Sequence, residues 1–192
     1  MRFLKTLFEC FFVWRFRPNK IDHSICSPCP FYEDVDVIIV HAGGDRVDGQ
    51  PGEINKYLVD AIFDVTVCIK RVLPVIAQGE MTQCLADTDF PLLGNIPSQR
   101  NNGAYIDTVD VAKAHKRICE EYGFKKPILV SYQPHLWRAY MVSKKIGLDV
   151  IVADVPDCVY EPECSQKWMR HWYSNAVREL ACRLVWLFQG KI

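Results

Sequence analysis

The sequence predicts an α/β protein in which a mainly parallel sheet is covered by helices on both faces. Four short apolar runs, at residues 37–40, 75–77, 128–130 and 150–152, alternate with stretches whose apolar residues recur at helical spacing. Continuous apolar runs of this kind are typical of strands buried on both faces. Strands joined by helices form parallel sheets with right-handed crossovers. The 192 residues are enough for one domain with a sizeable core.

The first two strands are separated by one helix. The run at 37–40 leads into a turn at Gly43-Gly44, and the apolar residues from Ile54 to Ile69 then predict a helix. The second strand begins after Pro74, where a missing N–H is tolerated. Residues 81–106 show little periodicity, so we expect a long loop there that covers a binding site.

The second half of the chain continues this alternation. Asp107 is the predicted N-cap of a helix that ends at Gly123. Pro134 suits the first turn of the helix after the third strand, and Gly147 ends that helix. The last helix is predicted from about residue 167 to residue 188, with these side chains along one side: Trp168, Trp172, Ala176, Leu180, Leu184 and Leu187.

The chain divides into an N-terminal helix with a connector, residues 1–33, and an α/β domain, residues 34–192. Residues 1–16 are rich in Phe and Leu, but Glu9 interrupts this run. It is also shorter than the roughly 20 apolar residues of a membrane span. Two interpretations are open: a helix docked on the domain, or a helix that lies on a membrane surface through residues 1–20.

Charge and cysteine content narrow the class of protein. The 23 Lys and Arg residues equal the 23 Asp and Glu residues, so no excess of positive charge favours nucleic-acid binding. Nine cysteines, an odd number, argue against a disulfide framework and favour a cytoplasmic location, with peripheral membrane contact as a variant.

Cys26 and Cys29 form a C-x-x-C pair, and half a zinc site is the alternative for them. Cys158 and Cys164 lack the spacing of a second pair, so we predict no metal site.

Ligands of parallel sheets bind beyond the carboxyl ends of the strands, and this rule selects the turns after the four runs. After the first run, Gly43 and Gly44 would let backbone amides approach an anion, with Asp45 beside them. A plain tight turn explains these glycines equally well. After the second run, Gly79 and Glu80 could hold a hydroxyl or amine, or could form a solvated turn.

The most informative segment follows the third strand. His135 and Arg138 are three residues apart and share a face at the start of a helix, where free N–H groups favour an anion. His135 is the candidate general acid or base, and Arg138 is expected to bind an oxyanion through two hydrogen bonds. The alternative is that Arg138 pairs with Asp110 or Glu80 and only holds the loops together.

Further ligand contacts are expected from the long loop and from the helix after it. Thr108 and Asp110 open that helix and could face the same crevice, although capping alone would also explain them. Within the covering loop, the candidates are Arg100 and Asn101.

Four short motifs occur in order between residues 34 and 190. They are Gly43-Gly44, then Gln78-Gly79-Glu80, then Thr108-Val109-Asp110-Val111, and finally a strand that leads to His135-Leu136-Trp137-Arg138-Ala139. This order resembles the bacterial YdcF/SanA/ElyC-like family. Gly147-Leu148 before the last strand and Arg178-Glu179 in the last helix also fit the family layout. Two positions depart from the family pattern: Glu80 stands where the family has a second glycine, and Val111 where it has asparagine.

The resemblance implies a Rossmann-like domain, a three-layer αβα sandwich. Some members of the family are linked to S-adenosylmethionine, so the expected ligand is a small nucleotide-like or other anionic molecule, with S-adenosylmethionine as one candidate. The resemblance implies no particular reaction. The alternative function is that of a non-catalytic interaction protein of the cell envelope, with the N-terminal helix and the Trp-rich last helix as docking faces.

Overall fold

A computed structural model describes Tyr32 and residues 34–97, 106–155 and 159–192. In these ranges the strands are β1 (Val37–Val40), β2 (Val75–Gln78), β3 (Leu92–Ile96), β4 (Pro127–Val130) and β5 (Ile151–Val152). The helices are α1 (Glu53–Ile69), α2 (Gly79–Leu85), α3 (Thr108–Tyr122), α4 (Gln133–Lys145) and α5 (Trp172–Phe188), with a 3-10 turn at Lys167–Met169.

The five strands of the described ranges form one sheet in the order β3-β2-β1-β4-β5, and all neighbours run parallel. Helix α1 packs against α2, and α3 packs against α4. The crossovers through α1 and α2 lead from β1 to β3, and those through α3 and α4 lead in the opposite direction, from β3 to β5. Because parallel crossovers are right-handed, the two helix pairs lie on opposite faces of the sheet. The predicted three-layer, Rossmann-like αβα sandwich is confirmed.

The predicted helix boundaries around α3 are confirmed. The Asp107 side chain accepts hydrogen bonds from the backbone N–H groups of Val109 and Asp110, at 2.9 and 3.0 Å. Gly123 follows the helix with a φ of 76°, in the left-handed region that ends helices. The first strand matches the predicted range, and the other three predicted strands differ by one residue at an end.

The prediction of a loop over residues 81–106 is wrong in part. This segment contains most of α2 and the whole of β3. Strand β3 lies at the edge of the sheet and is only partly buried, so it lacks the β-branched run that marks the central strands. Gly94 lies in this strand because a Cβ there would be 2.8 Å from the Ile118 side chain of α3.

Helix α5 packs against α4 mainly through polar side chains, whereas an ordinary surface helix packs through apolar ones. Its buried positions are Asn175, Glu179, Arg183 and Trp186, of which only Trp186 is apolar. Trp186 packs with Ala112 of α3 and Val142 of α4. Most large apolar side chains of α5 therefore face outward or lie half-buried. None of the helices in the described ranges has the length and apolar content needed to cross a membrane.

Candidate functional site

The candidate site lies at the carboxyl ends of β1 and β4, where the strand order reverses. The chain leaves β1 toward β2 and leaves β4 toward β5, so the two loops diverge. Such a switch point is where open α/β sheets form their ligand crevice. The backbone N–H of His41 donates to the Val130 carbonyl at 3.0 Å, which keeps the two strand ends in register.

Arg138 lies in the second turn of α4 and is buried. Its Nε and Nη2 atoms donate to the two carboxylate oxygens of Glu179 at 2.9 and 2.7 Å. Nη1 donates to the Thr108 hydroxyl at 2.7 Å. The alternative that paired Arg138 with Asp110 or Glu80 is therefore wrong in its partner, because the guanidinium joins α4 to α5 and α3 instead.

The pKa of Glu179 results from two opposing effects. Burial, the largest single effect, would raise the pKa of this carboxyl, but the charge and hydrogen bonds of Arg138 together with the neighbouring His135 outweigh burial and hold the pKa well below its usual range. A two-bond guanidinium–carboxylate contact is among the stronger side-chain pairs. Glu179 is therefore ionised at neutral pH and neutralises the buried Arg138.

His135 is held in one tautomer by Arg138. The Nη2 atom of Arg138 lies 2.8 Å from Nδ1 of His135. A guanidinium nitrogen can only donate, so Nδ1 accepts and the proton of the neutral ring resides on Nε2. Burial, together with the charge of Arg138, lowers the pKa of His135 to about 4. At neutral pH the ring is uncharged and presents a donor at Nε2.

Two further histidines extend this arrangement into the core. The ring of His41, which directly follows β1, lies 5.6 Å from that of His135 and 5.0 Å from that of His115, between centroids. Burial lowers the pKa of His115 to about 3. Burial and the neighbouring His115 hold the pKa of His41 well below its usual value. Three uncharged imidazoles therefore lie in a row beneath the switch point.

The glycine turn after β1 is tightly packed against the start of α1. The Gly43 N–H donates to the Asn55 side chain at 2.8 Å, and the Asn55 amide donates to the Gly44 carbonyl at 2.9 Å. A Cβ at Gly43 would lie 2.2 Å from Cγ2 of Ile54. Gly44 has a φ of 122°, which favours glycine. Packing and backbone conformation therefore account for both glycines, and the Gly43 amide already has a partner.

The start of α4 offers few free donors. Pro134 has no N–H, and the N–H groups of His135 and Leu136 both donate to the Tyr132 carbonyl at 3.0 Å. The side-chain Nε2 of Gln133, the first residue of α4, is also engaged and donates to the Val155 carbonyl at 3.3 Å. The helix start thus has less capacity for an anion than the sequence suggested.

Acidic groups lie on the other side of the crevice, at the end of β2. Glu80 is the second residue of α2 and is buried, and Gly79 begins that helix. Burial, with a smaller contribution from the charge of Glu80, raises the pKa of Asp45 to about 6. The structure therefore brings Asp45 near Glu80, a proximity that the sequence did not indicate.

The remaining predicted site residues have different positions. Thr108 is the first residue of α3 and is engaged by Arg138, whereas Asp110 is half-buried in the first turn of α3. Arg100 and Asn101 lie outside the described residues, as do residues 1–20, the Cys26 and Cys29 pair, and Cys158. Over the ranges that the structure describes, no group of three His, Cys, Asp or Glu side chains could hold a metal ion.

Sequence reasoning missed His41, His115 and Glu179 as members of this arrangement. His41 could have been noticed because it directly follows a buried strand. Glu179 belongs to a polar series, Asn175, Glu179 and Arg183, that recurs every four residues through an otherwise apolar helix. That spacing indicates one polar face, but it does not say that this face is buried.

A scan against protein-family models finds no matching family, and searches of curated proteins and of solved structures find no match.

Proposed function

We propose that this chain is a small-molecule-binding domain whose ligand is nucleotide-like and lies at the β1/β4 switch point. One observation carries the proposal. Three buried side chains at the ends of the adjacent strands β2, β1 and β4 have a polar atom without a hydrogen-bond partner among the described residues: Glu80 Oε2, His41 Nε2 and Gln133 Oε1. Buried polar atoms are normally paired, so three at one edge of a sheet suggest a ligand that pairs with them.

The chemistry of these atoms favours a ligand that carries hydrogen-bond donors. Glu80 Oε2 and Gln133 Oε1 accept hydrogen bonds, and a carboxylate such as that of Glu80 suits ribose hydroxyls or an amine. A bare anion fits less well, because Arg138 is paired with Glu179 and the Gly43 amide with Asn55. S-adenosylmethionine, to which the family resemblance points, has both ribose hydroxyls and an amino group. When bound, it supplies an activated methyl group.

Thermal unfolding with added S-adenosylmethionine, adenosine or inorganic phosphate tests this proposal. A ligand at 100 times its Kd adds about 2.7 kcal/mol to the free energy of unfolding. We expect stabilisation by the two ribose-bearing compounds and not by phosphate.

The matched variants are Glu80→Gln in the crevice and Glu120→Gln, whose side chain is exposed near the end of α3. A hydrogen bond to a charged group is worth about 1.5–3 kcal/mol, so Glu80→Gln should weaken binding by tenfold or more. Glu120→Gln should bind as the wild type does. Equal binding by both variants, or a response to phosphate alone, would place the site elsewhere.

A further inference from the structure

We propose that the outer face of α5 docks on an anionic membrane surface. This outer face is defined by five large exposed side chains, whose exposed fractions run from 49% for Val185 to 76% for Phe188: Trp172, Tyr173, Val177, Val185 and Phe188. Tyr173, Val177, Val185 and Phe188 lie on one side of the 17-residue helix and form a stripe along it, and Trp172 is exposed at its first position. The stripe is about 25 Å long at 1.5 Å per residue. The inference is independent of any ligand at the switch point.

The inner face of α5 fixes which side of the helix is exposed. Glu179 is held by Arg138 through two hydrogen bonds, and Arg183 donates to the Pro134 carbonyl at 2.9 Å. Rotating the helix to bury its apolar side chains would break these contacts and leave the Arg138 charge without a counterion in the core. The apolar stripe therefore stays on the surface of the folded domain.

Charge along the segment that carries the outer face is mainly positive. Between residues 165 and 192 the only acidic residue is Glu179, which is buried. The basic residues that reach solvent along this segment, here called the basic rim, are Lys167, Arg170, Arg178 and Lys191. Arg178 also contacts Glu179 at 3.6 Å and Lys191 contacts Asp107 at 3.7 Å, which leaves the rim with a smaller but still positive net charge. Arg178 lies over the Trp168 ring with its Cζ atom 3.8 Å from the centroid. An apolar stripe with aromatic residues and a basic rim is the composition of helices that lie on anionic lipid surfaces.

A second copy of the chain fits this surface less well. A symmetric dimer through the outer face would bring two basic rims together, and like charges across an interface oppose association. An anionic bilayer, by contrast, attracts each basic residue near its surface. The positive charge of the basic rim therefore favours a membrane over self-association.

Vesicle co-sedimentation of the full-length chain tests the proposal. The vesicles contain either phosphatidylcholine alone or phosphatidylcholine with phosphatidylserine. We expect binding to the phosphatidylserine vesicles that weakens as salt is added, because salt screens the basic rim. Binding that is equal on both vesicle types would overturn the assignment of an anionic surface.

Val177→Glu and Val67→Glu form a matched pair of variants. Val177 is 69% exposed on α5, and Val67 is 68% exposed on α1, which covers the other face of the sheet. Removing a valine contact and adding a negative charge should lower vesicle affinity about tenfold or more for Val177→Glu. Val67→Glu should bind as the wild type does, and circular dichroism should show both variants folded.

Two results would refute the proposal. The first is a Val177→Glu protein that binds phosphatidylserine vesicles as tightly as the wild type, which would assign the contact to another part of the chain. The second is a wild-type dimer in sedimentation velocity that Val177→Glu makes monomeric, without vesicle binding by either protein. That result would make the outer face an interface between copies.

Discussion

Arg138 and Glu179 form a buried two-bond ion pair that joins α4 to α5, with N–O distances of 2.9 and 2.7 Å. Both side chains are almost fully buried, and the Thr108 hydroxyl accepts a further hydrogen bond from the guanidinium. Because α5 presents a polar face to the domain, this pair is the central contact of that helix. Through its Nη2 atom, Arg138 also sets the tautomer of His135.

The first prediction is that Glu179→Ala destabilises the protein by about 3–5 kcal/mol, because it leaves the Arg138 charge buried without a partner. Urea unfolding measures the change. The control is Lys144→Ala in α4, which removes an exposed pair with Asp149 and should cost about 1 kcal/mol or less. Equal costs for the two variants would contradict the structural role of the buried pair.

The second prediction concerns pH. Unfolded imidazoles bind a proton near pH 6.5, whereas the folded pKa is about 4 for His135 and about 3 for His115, and that of His41 is also lowered. The unfolded state therefore holds more protons below pH 6.5, and stability falls as the pH falls toward 4. Asp45, whose pKa is raised to about 6, binds one proton in the folded state before it does so in the unfolded state. It therefore offsets part of this loss of stability.

Below pH 4.5, Glu179 adds to this loss, because its folded pKa is lowered and protonation removes its contribution. Urea unfolding between pH 6.5 and pH 4.5 should show a slope of at least about 1.4 kcal/mol per pH unit, the value for one net proton. His115→Met removes one of the three imidazoles and should flatten the slope. A wild-type stability that is constant over this range would show that the histidines are not buried as neutral groups.

The third prediction is that His135 carries its proton on Nε2. Nitrogen-15 spectra of imidazole-labelled protein at pH 7 distinguish the two neutral tautomers, and the His135→Gln spectrum assigns the signal. The expected pattern has an unprotonated Nδ1, because this atom accepts from Arg138 at 2.8 Å. A protonated Nδ1 would mean that the ring donates to Glu179 instead, whose Oε1 lies 3.5 Å from it.

The fourth prediction tests the packing of the glycine turn. Gly43→Ala places a methyl group against Cγ2 of Ile54, and overpacking of this kind costs about 1–3 kcal/mol. Ile54→Leu moves the branch of that side chain away from Cβ. The double variant should therefore recover part of the loss, which a double-mutant cycle of unfolding free energies would measure. Strictly additive effects would show that the two side chains do not meet.

The central part of the fold follows from the sequence. The runs at 37–40 and 128–130 are strands because each is buried on both faces, and such strands have a clear apolar pattern. The edge strand β3 was missed because its partial burial leaves no such pattern. Asp107 and Gly123 set the ends of α3 through local chemistry, which a sequence displays directly.

The candidate site was harder to predict, because its members meet only through tertiary structure. The spacing of His135 and Arg138 places them on one face of α4, but the partner of Arg138 is 41 residues away on α5. No local pattern marks Glu179 as that partner. Likewise, the proximity of Asp45 to Glu80 depends on the pairing of β1 with β2.

The polar inner face of α5 has a consequence for shortened versions of this protein. A surface helix that packs through apolar side chains can be deleted at the expense of some exposed hydrophobic area. Deleting α5 would instead remove the counterion of Arg138 and expose Ala112 and Val142 together. The final helix is thus required for charge balance within the domain, and a fragment that stops at residue 170 should not fold stably by itself.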